Sequence, residues 1–138
     1  MPFAILEAVP VVLVPGLTCS PRLYAEQIPA LWRFGPVTVA DHRCDDGMAA
    51  IARRILAFAP PRFALAGLSM GGYIAFEIMR QAPERVAKLA LLDTGARGET
   101  PEQTDRRKVA IALAKAGRYA EVADIAFPFT ATVTKTRH

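Results

Sequence analysis

The run Phe63-Ala64-Leu65-Ala66-Gly67-Leu68-Ser69-Met70-Gly71-Gly72 holds the residue types of a covalent catalyst. A short apolar stretch leads into G-x-S-x-G, and a helical pattern follows. This spacing suits a nucleophile elbow, a tight strand-to-helix turn that lifts one serine hydroxyl clear of the backbone. Such a turn forces its central residue into a sparsely populated conformation. It also brings the residues two before and two after close together, so those positions call for residues without a Cβ. Gly67 and Gly71 meet that demand, and Gly72 lets the helix approach the sheet. Ser69 is then expected at a helix N-terminus, where unpaired N–H groups and the helix dipole favour developing negative charge. The N–H of Met70 would face a tetrahedral oxyanion, and one such donor is typically worth about 3–4 kcal/mol of barrier. The plain alternative is a structural glycine turn with a spectator serine.

A second element upstream fits the same chemistry. Val11-Val12-Leu13-Val14 is an apolar, β-branched run that stops at Pro15-Gly16-Leu17. A strand that ends there and opens into a loop can aim a backbone N–H, that of Leu17, at the same oxyanion; alone, it would be an ordinary strand-ending turn. Serine is a poor nucleophile until a base takes its proton, and that base is normally a histidine oriented by a carboxylate. The chain contains two histidines, His42 and His138. His42 reads as a loop histidine, and a terminal residue such as His138 is a poor place for a pre-organised base. Cys19 follows Leu17 closely, but no elbow presents it and no histidine is near it in sequence, so a buried free thiol is the better reading. With Cys44 it makes neither a disulfide framework nor a metal site, and nothing in the sequence calls for a cofactor.

The elements that must position these groups alternate. Strands are expected over residues 3–6, 11–14, 37–40, 63–66 and 88–92, and helices over 21–31, 47–58 and 70–80. Two further helices are expected over 101–116 and 118–127, separated by Gly117, and the last residues from Thr130 onward show no helical period. Strands alternating with helices imply a mostly parallel sheet covered on both faces, an α/β three-layer sandwich. Ligands in such sheets bind beyond the carboxyl ends of the strands, and Leu17, Asp41, Ser69 and Asp93 all fall at such ends.

With these motifs in place, the chain resembles the N-terminal portion of the α/β-hydrolase fold superfamily, in its serine esterase-like branch. The matching stretches are L-V-P-G-L (13–17), V-T-V-A-D (37–41), A-G-L-S-M-G-G (66–72), A-P-E-R-V (82–86) and L-A-L-L-D-T (89–94). One departure is Pro15, where many members carry a loop-organising histidine. The resemblance implies a core over residues 1–98, with a helical lid beginning in 99–138. It also implies a fold cut before its last strands, with the triad's acid and histidine on strands beyond residue 138. Within these residues Asp93 is a candidate acid, since some relatives place the acid at the end of the strand beside the elbow strand. The plain alternative there is a carboxylate that anchors its own turn. The strand before His42 is not adjacent to the elbow strand in the family's order. The strand over 88–92 would be left at an edge open to self-association. The implied substrate is a small acyl ester or thioester, because a serine at the elbow disfavours the epoxide and haloalkane branches. The alternative is a non-catalytic module that binds an acyl or apolar ligand on the same scaffold.

Composition narrows the remaining classes. At 138 residues and 52% hydrophobic, the chain can bury one core. Charged residues make up 22%, near the globular average. The net charge of +4 is scattered, and its densest cluster, Arg106-Arg107-Lys108, has Glu102 and Asp105 for neighbours. That is a solvated helix face rather than a nucleic-acid stripe. The apolar N-terminus lacks a basic leader and is interrupted by Glu7, Pro10 and Pro15, so neither a signal peptide nor a membrane span is expected, and a cytoplasmic location is the default.

Overall fold

The computed structural model describes residues 7–126. The strand expected over 3–6, the aperiodic tail and His138 lie outside that range. The chain divides into two compact units, Met1–Ala96 and Arg97–His138.

The described residues of the first unit form a parallel sheet of four strands: β1 (Val11–Val14), β2 (Val37–Val39), β3 (Phe63–Leu68) and β4 (Val86–Leu92). Their order is β2-β1-β3-β4, all neighbours parallel. Successive side chains on a strand point to opposite faces; both faces are apolar, one buried under two helices and the other only partly covered. On one face Val12, Val14, Phe63 and Leu65 pack against Ile51, Ala52 and Ile55 of α2 (Met48–Phe58) and Ile74, Ala75 and Ile78 of α3 (Met70–Gln81). The i, i+4 pairs Ile51/Ile55 and Ile74/Ile78 give each helix one apolar stripe. On the other face Val11 and Leu13 pack with Tyr24, Ile28 and Leu31. Fully burying one such side chain contributes about 1.5–3 kcal/mol. β4 ends the strand order, and Lys88 through Leu92 are exposed along it.

The segment over 21–31 is not the single helix expected. It forms a 3-10 turn at Pro21–Tyr24, and then a separate short α1 at Ile28–Leu31. Pro29 lacks an N–H and its ring would strike the carbonyl four residues back, so it fits only in the first turn of a helix. That forces a new start after Tyr24.

The A-P-E-R-V stretch acquires a physical meaning here. It forms a 3-10 turn, Pro83–Arg85, between α3 and β4. The Arg85 guanidinium donates to the carbonyls of Leu56 (2.8 Å), Ala59 (3.0 Å), Pro60 (2.8 Å) and Pro61 (3.1 Å). The Leu56 carbonyl lies in the last turn of α2 and the other three directly follow the helix, where a cation also suits the helix dipole. One side chain thus ties the end of α2 to the start of β4. The start of α2 is tied to the end of α3 by Gln81, which donates to the Ala49 carbonyl and to Glu77, each at 3.0 Å.

The second unit contains α4 (Pro101–Lys115) and α5 (Tyr119–Ala126). Thr100 and Gln103 form a reciprocal capping box at the start of α4. At its end Gly117 takes φ 76, with Gly117 N–H on the Ala114 carbonyl and Arg118 N–H on the Leu113 carbonyl. That is a Schellman stop, and it explains why the helical pattern breaks at Gly117. Among the described residues no helix is long and apolar enough to cross a membrane, and no group of three metal-ligating side chains forms.

Candidate active site

Among the described residues, three other than glycine take positive φ: Thr18 (61°), Ser69 (53°) and Asp93 (46°). They follow β1, β3 and β4, three adjacent strands, at their carboxyl ends. Residues in sparsely populated backbone regions each cost about 1–3 kcal/mol and persist only where their surroundings hold them.

Ser69 combines φ 53 with ψ −114, so β3 turns sharply into α3 at that residue. A Cβ on Gly67 would overlap the Gly71 carbonyl, and one on Gly71 would overlap the carbonyls of Val14 and Pro15. The second glycine therefore serves the packing of the turn against the end of β1, beyond its contact with the first. At Gly72 the close neighbour is the Thr94 side chain rather than the sheet.

Hydrogen bonds hold the turn from three sides. The Ser69 N–H donates to the Leu92 carbonyl at 3.0 Å. The Ser69 carbonyl accepts from the Gly72 N–H at 2.9 Å and from the Thr94 hydroxyl at 2.8 Å. Thr94 was missed by the sequence reading as a positioning residue. Its only signal was its place directly after Asp93, and a side chain that reaches across to another strand's turn leaves no mark in local periodicity.

The Met70 N–H is the first of α3 and has no intrahelical acceptor. Among the described residues neither it nor the Leu17 N–H donates to a backbone carbonyl. Leu17 follows the buried pair Pro15 and Gly16, and is itself 46% exposed. The loop is a turn closed by the Cys19 N–H on the Gly16 carbonyl at 3.2 Å, with Thr18 at positive φ in its third position. Glycine normally occupies that position. The strand before the loop is anchored by the Tyr24 hydroxyl, which donates to the Val14 carbonyl at 2.8 Å. Burial, together with Cys19, pushes the Tyr24 pKa up to about 12, so the hydroxyl keeps the proton it donates.

His42 is not beside Ser69 in the hydrogen-bond pattern. Its Nε2 lies 3.1 Å from the Pro15 carbonyl and 3.2 Å from the Gly16 carbonyl. A histidine at the end of β2 thus reaches the loop that follows β1, where Pro15 stands. Asp41, at the same strand end, is held by both arms of Arg43, at 2.9 and 2.8 Å. That pairing keeps its carboxyl well below the usual carboxylate range. Asp93 is exposed at the end of β4, next to the elbow strand.

A groove of about 1320 Å³ lies on the α1 face of the sheet, lined among others by Leu13, Leu31, Trp32, Phe34, Ala66 and Leu92. None of Ser69, Met70 and Leu17 lines it. Volume and the candidate chemistry are therefore in different places, and the strained strand ends mark the site better than the larger space does.

The sequence matches no protein-family model and no curated protein. Solved structures do match. An esterase from Thermogutta terrifontis, solved with malate bound, is 29% identical over 87% of this chain and 49% of its own, with a TM-score of 0.68. An enol-lactonase from Burkholderia xenovorans LB400 is 26% identical over 91% of this chain and 53% of its own, with a TM-score of 0.75. The chain belongs to the α/β-hydrolase fold superfamily. A hydrolase from Pseudomonas aeruginosa PA01 shares the fold at 22% identity and a TM-score of 0.70, over 92% of this chain and 55% of its own. This α/β-hydrolase chain spans about half the length of the structures it matches.

Proposed function

We propose that Ser69 is the nucleophile of a hydrolase acting on a small carboxylic ester or thioester, with the N–H groups of Met70 and Leu17 as its oxyanion donors. The observation that carries this reading is the strained backbone of Ser69 at the tip of a parallel strand, held by Leu92, Gly72 and Thr94. A spectator serine gives no reason to maintain that strain. An esterase and a lactonase among the structural relatives support ester chemistry. The fold by itself would not, because it hosts unrelated reactions. Asp93 is the acid candidate within these residues, and α4 with α5 would begin a lid.

In this reading the hydroxyl of Ser69 attacks the acyl carbonyl, its proton passes to a base, and the two amides receive the oxyanion. The base is not His42, whose Nε2 already serves the loop carbonyls. Loss of the histidine from a serine triad costs roughly 10⁶ in rate, so these 138 residues alone should turn over slowly. A diffusible base should help. In imidazole buffer a fluorophosphonate probe is expected to phosphonylate the chain at Ser69, located by peptide mass spectrometry, and Ser69→Ala should abolish the label. A wild-type chain left unlabelled under these conditions would remove the hydrolytic reading.

The engagement of His42 and the apolar groove beside α1 favour one second reading, an acyl- or apolar-ligand-binding module without turnover. Acyl-ligand binding that Ser69→Ala leaves intact, with no turnover in the wild-type chain, would support it over the first.

A further inference from the structure

We infer that His42 is a positioning residue for the oxyanion donor on Leu17, acting through the peptide bond that joins Gly16 to Leu17; this rests on the proposed role of the Leu17 N–H.

The argument starts from peptide geometry. A trans peptide is planar, and its C=O and N–H point in opposite directions in one plane. The described chain has no cis peptide bond. The Gly16 carbonyl and the Leu17 N–H therefore move as one rigid unit, and whatever grips the carbonyl aims the N–H. Two donors grip it: the Cys19 N–H at 3.2 Å and His42 Nε2 at 3.2 Å. The same Nε2 is 3.1 Å from the Pro15 carbonyl, so it straddles two successive peptide units. Carbonyl oxygens only accept, so Nε2 must carry the hydrogen.

The need for such a grip is visible in the loop. Pro15 and Gly16 are buried, but Leu17 and Thr18 beyond them are exposed, with Thr18 at φ 61. The turn is thus strained and open to water on its outer side, where competing hydrogen bonds could rotate the Gly16–Leu17 plane. The Cys19 bond comes from within the turn and would move with it. His42 comes from a different strand end, after β2, and gives a fixed reference. Donation to the carbonyl also polarises the amide and strengthens its N–H as a donor. His42 touches neither the serine nor the reacting atoms in this account, which is why it escapes a search for a catalytic base.

The test uses the full chain and the rate of Ser69 modification by a fluorophosphonate in imidazole buffer, resolved into kinact and KI. Leu17→Pro removes the donor itself at the second position of the turn, a place that accepts proline, and should lower kinact by roughly 10²–10³. His42→Phe, which keeps a ring but loses the donor, should lower kinact by roughly tenfold to a hundredfold and leave KI in place. His42→Gln, which restores an N–H donor, should recover most of that loss. If Leu17→Pro is slow while His42→Phe reacts at the wild-type rate, the role of His42 is overturned and the oxyanion reading stands. If Leu17→Pro itself reacts at the wild-type rate, the oxyanion reading falls and this inference with it. If His42→Gln is as slow as His42→Phe, the ring acts by packing and the inference is wrong. A measurement without mutation guards against misfolded variants. Nitrogen-15 spectra of the wild-type chain should show a hydrogen on His42 Nε2, the atom that faces the two carbonyls. Protonation at Nδ1 instead would overturn the assignment.

Discussion

Ser69 occupies a backbone conformation that a side-chain-bearing residue adopts only under restraint, and the restraints can be named one by one: Leu92, Gly72 and Thr94 on its own peptide groups, and the absence of a Cβ at positions 67 and 71. Gly67→Ala is the direct probe of the last of these. Its methyl would meet the Gly71 carbonyl and the Gly72 nitrogen, which are backbone atoms and cannot rotate away. The expected loss of stability is about 3 kcal/mol, read from urea denaturation. Ser69 labelling should fall further than that instability explains. A Gly67→Ala chain as stable as wild type would mean that the turn is looser than its geometry says. The glycines and the serine were legible because their spacing is local. Thr94 and His42 were not, because each acts on a residue more than twenty positions away.

Between elements, polar side chains carry much of the registration. Arg85 closes the end of α2, and Glu77 with Gln81 fastens α3 to α2. Arg80 donates to Glu77 through Nε and a terminal nitrogen, and Gln81 adds a further bond. These bonds, those of Arg80 first, pull the Glu77 pKa down from the ordinary 4.5 to about 2. A carboxyl whose folded pKa lies below its unfolded value stabilises the fold above that unfolded value, and the contribution disappears as pH falls. The Glu77 contribution is therefore complete above about pH 4.5 and is lost on acidification toward pH 2. Glu77→Gln should flatten the fall of thermal midpoint with pH in that window and change little near neutrality. An unaltered acid profile would show that the network is open to water and contributes nothing, as many exposed pairs do.

For the molecule as a whole the telling feature is β4, last in the strand order and carrying Leu89, Leu91 and Leu92 at 40%, 38% and 43% exposure. An edge strand with unpaired backbone groups and apolar side chains invites pairing with another chain. The chain is expected to self-associate as concentration rises, and Leu89→Lys should reduce the association by placing a second charge beside Lys88. Sedimentation velocity over a hundredfold concentration range would check this, and a wild-type chain that stays monomeric throughout would refute it.

The sequence by itself determined the alternation of strands and helices, all four described strand positions to within two residues, and the serine turn, because each depends on periodicity or on the spacing of a few neighbours. It missed the break between Tyr24 and Ile28, where the missing N–H of Pro29 outweighed an otherwise helical pattern. Only the tertiary structure decided what the isolated polar residues do. Arg85 became a clamp on four carbonyls, Thr94 a brace for the serine, and His42 a grip on the loop before Leu17. Such roles arise from parallel strands that bring distant loop residues to one end of the sheet, and a side chain's partner across that end is fixed by strand order, which local sequence does not encode.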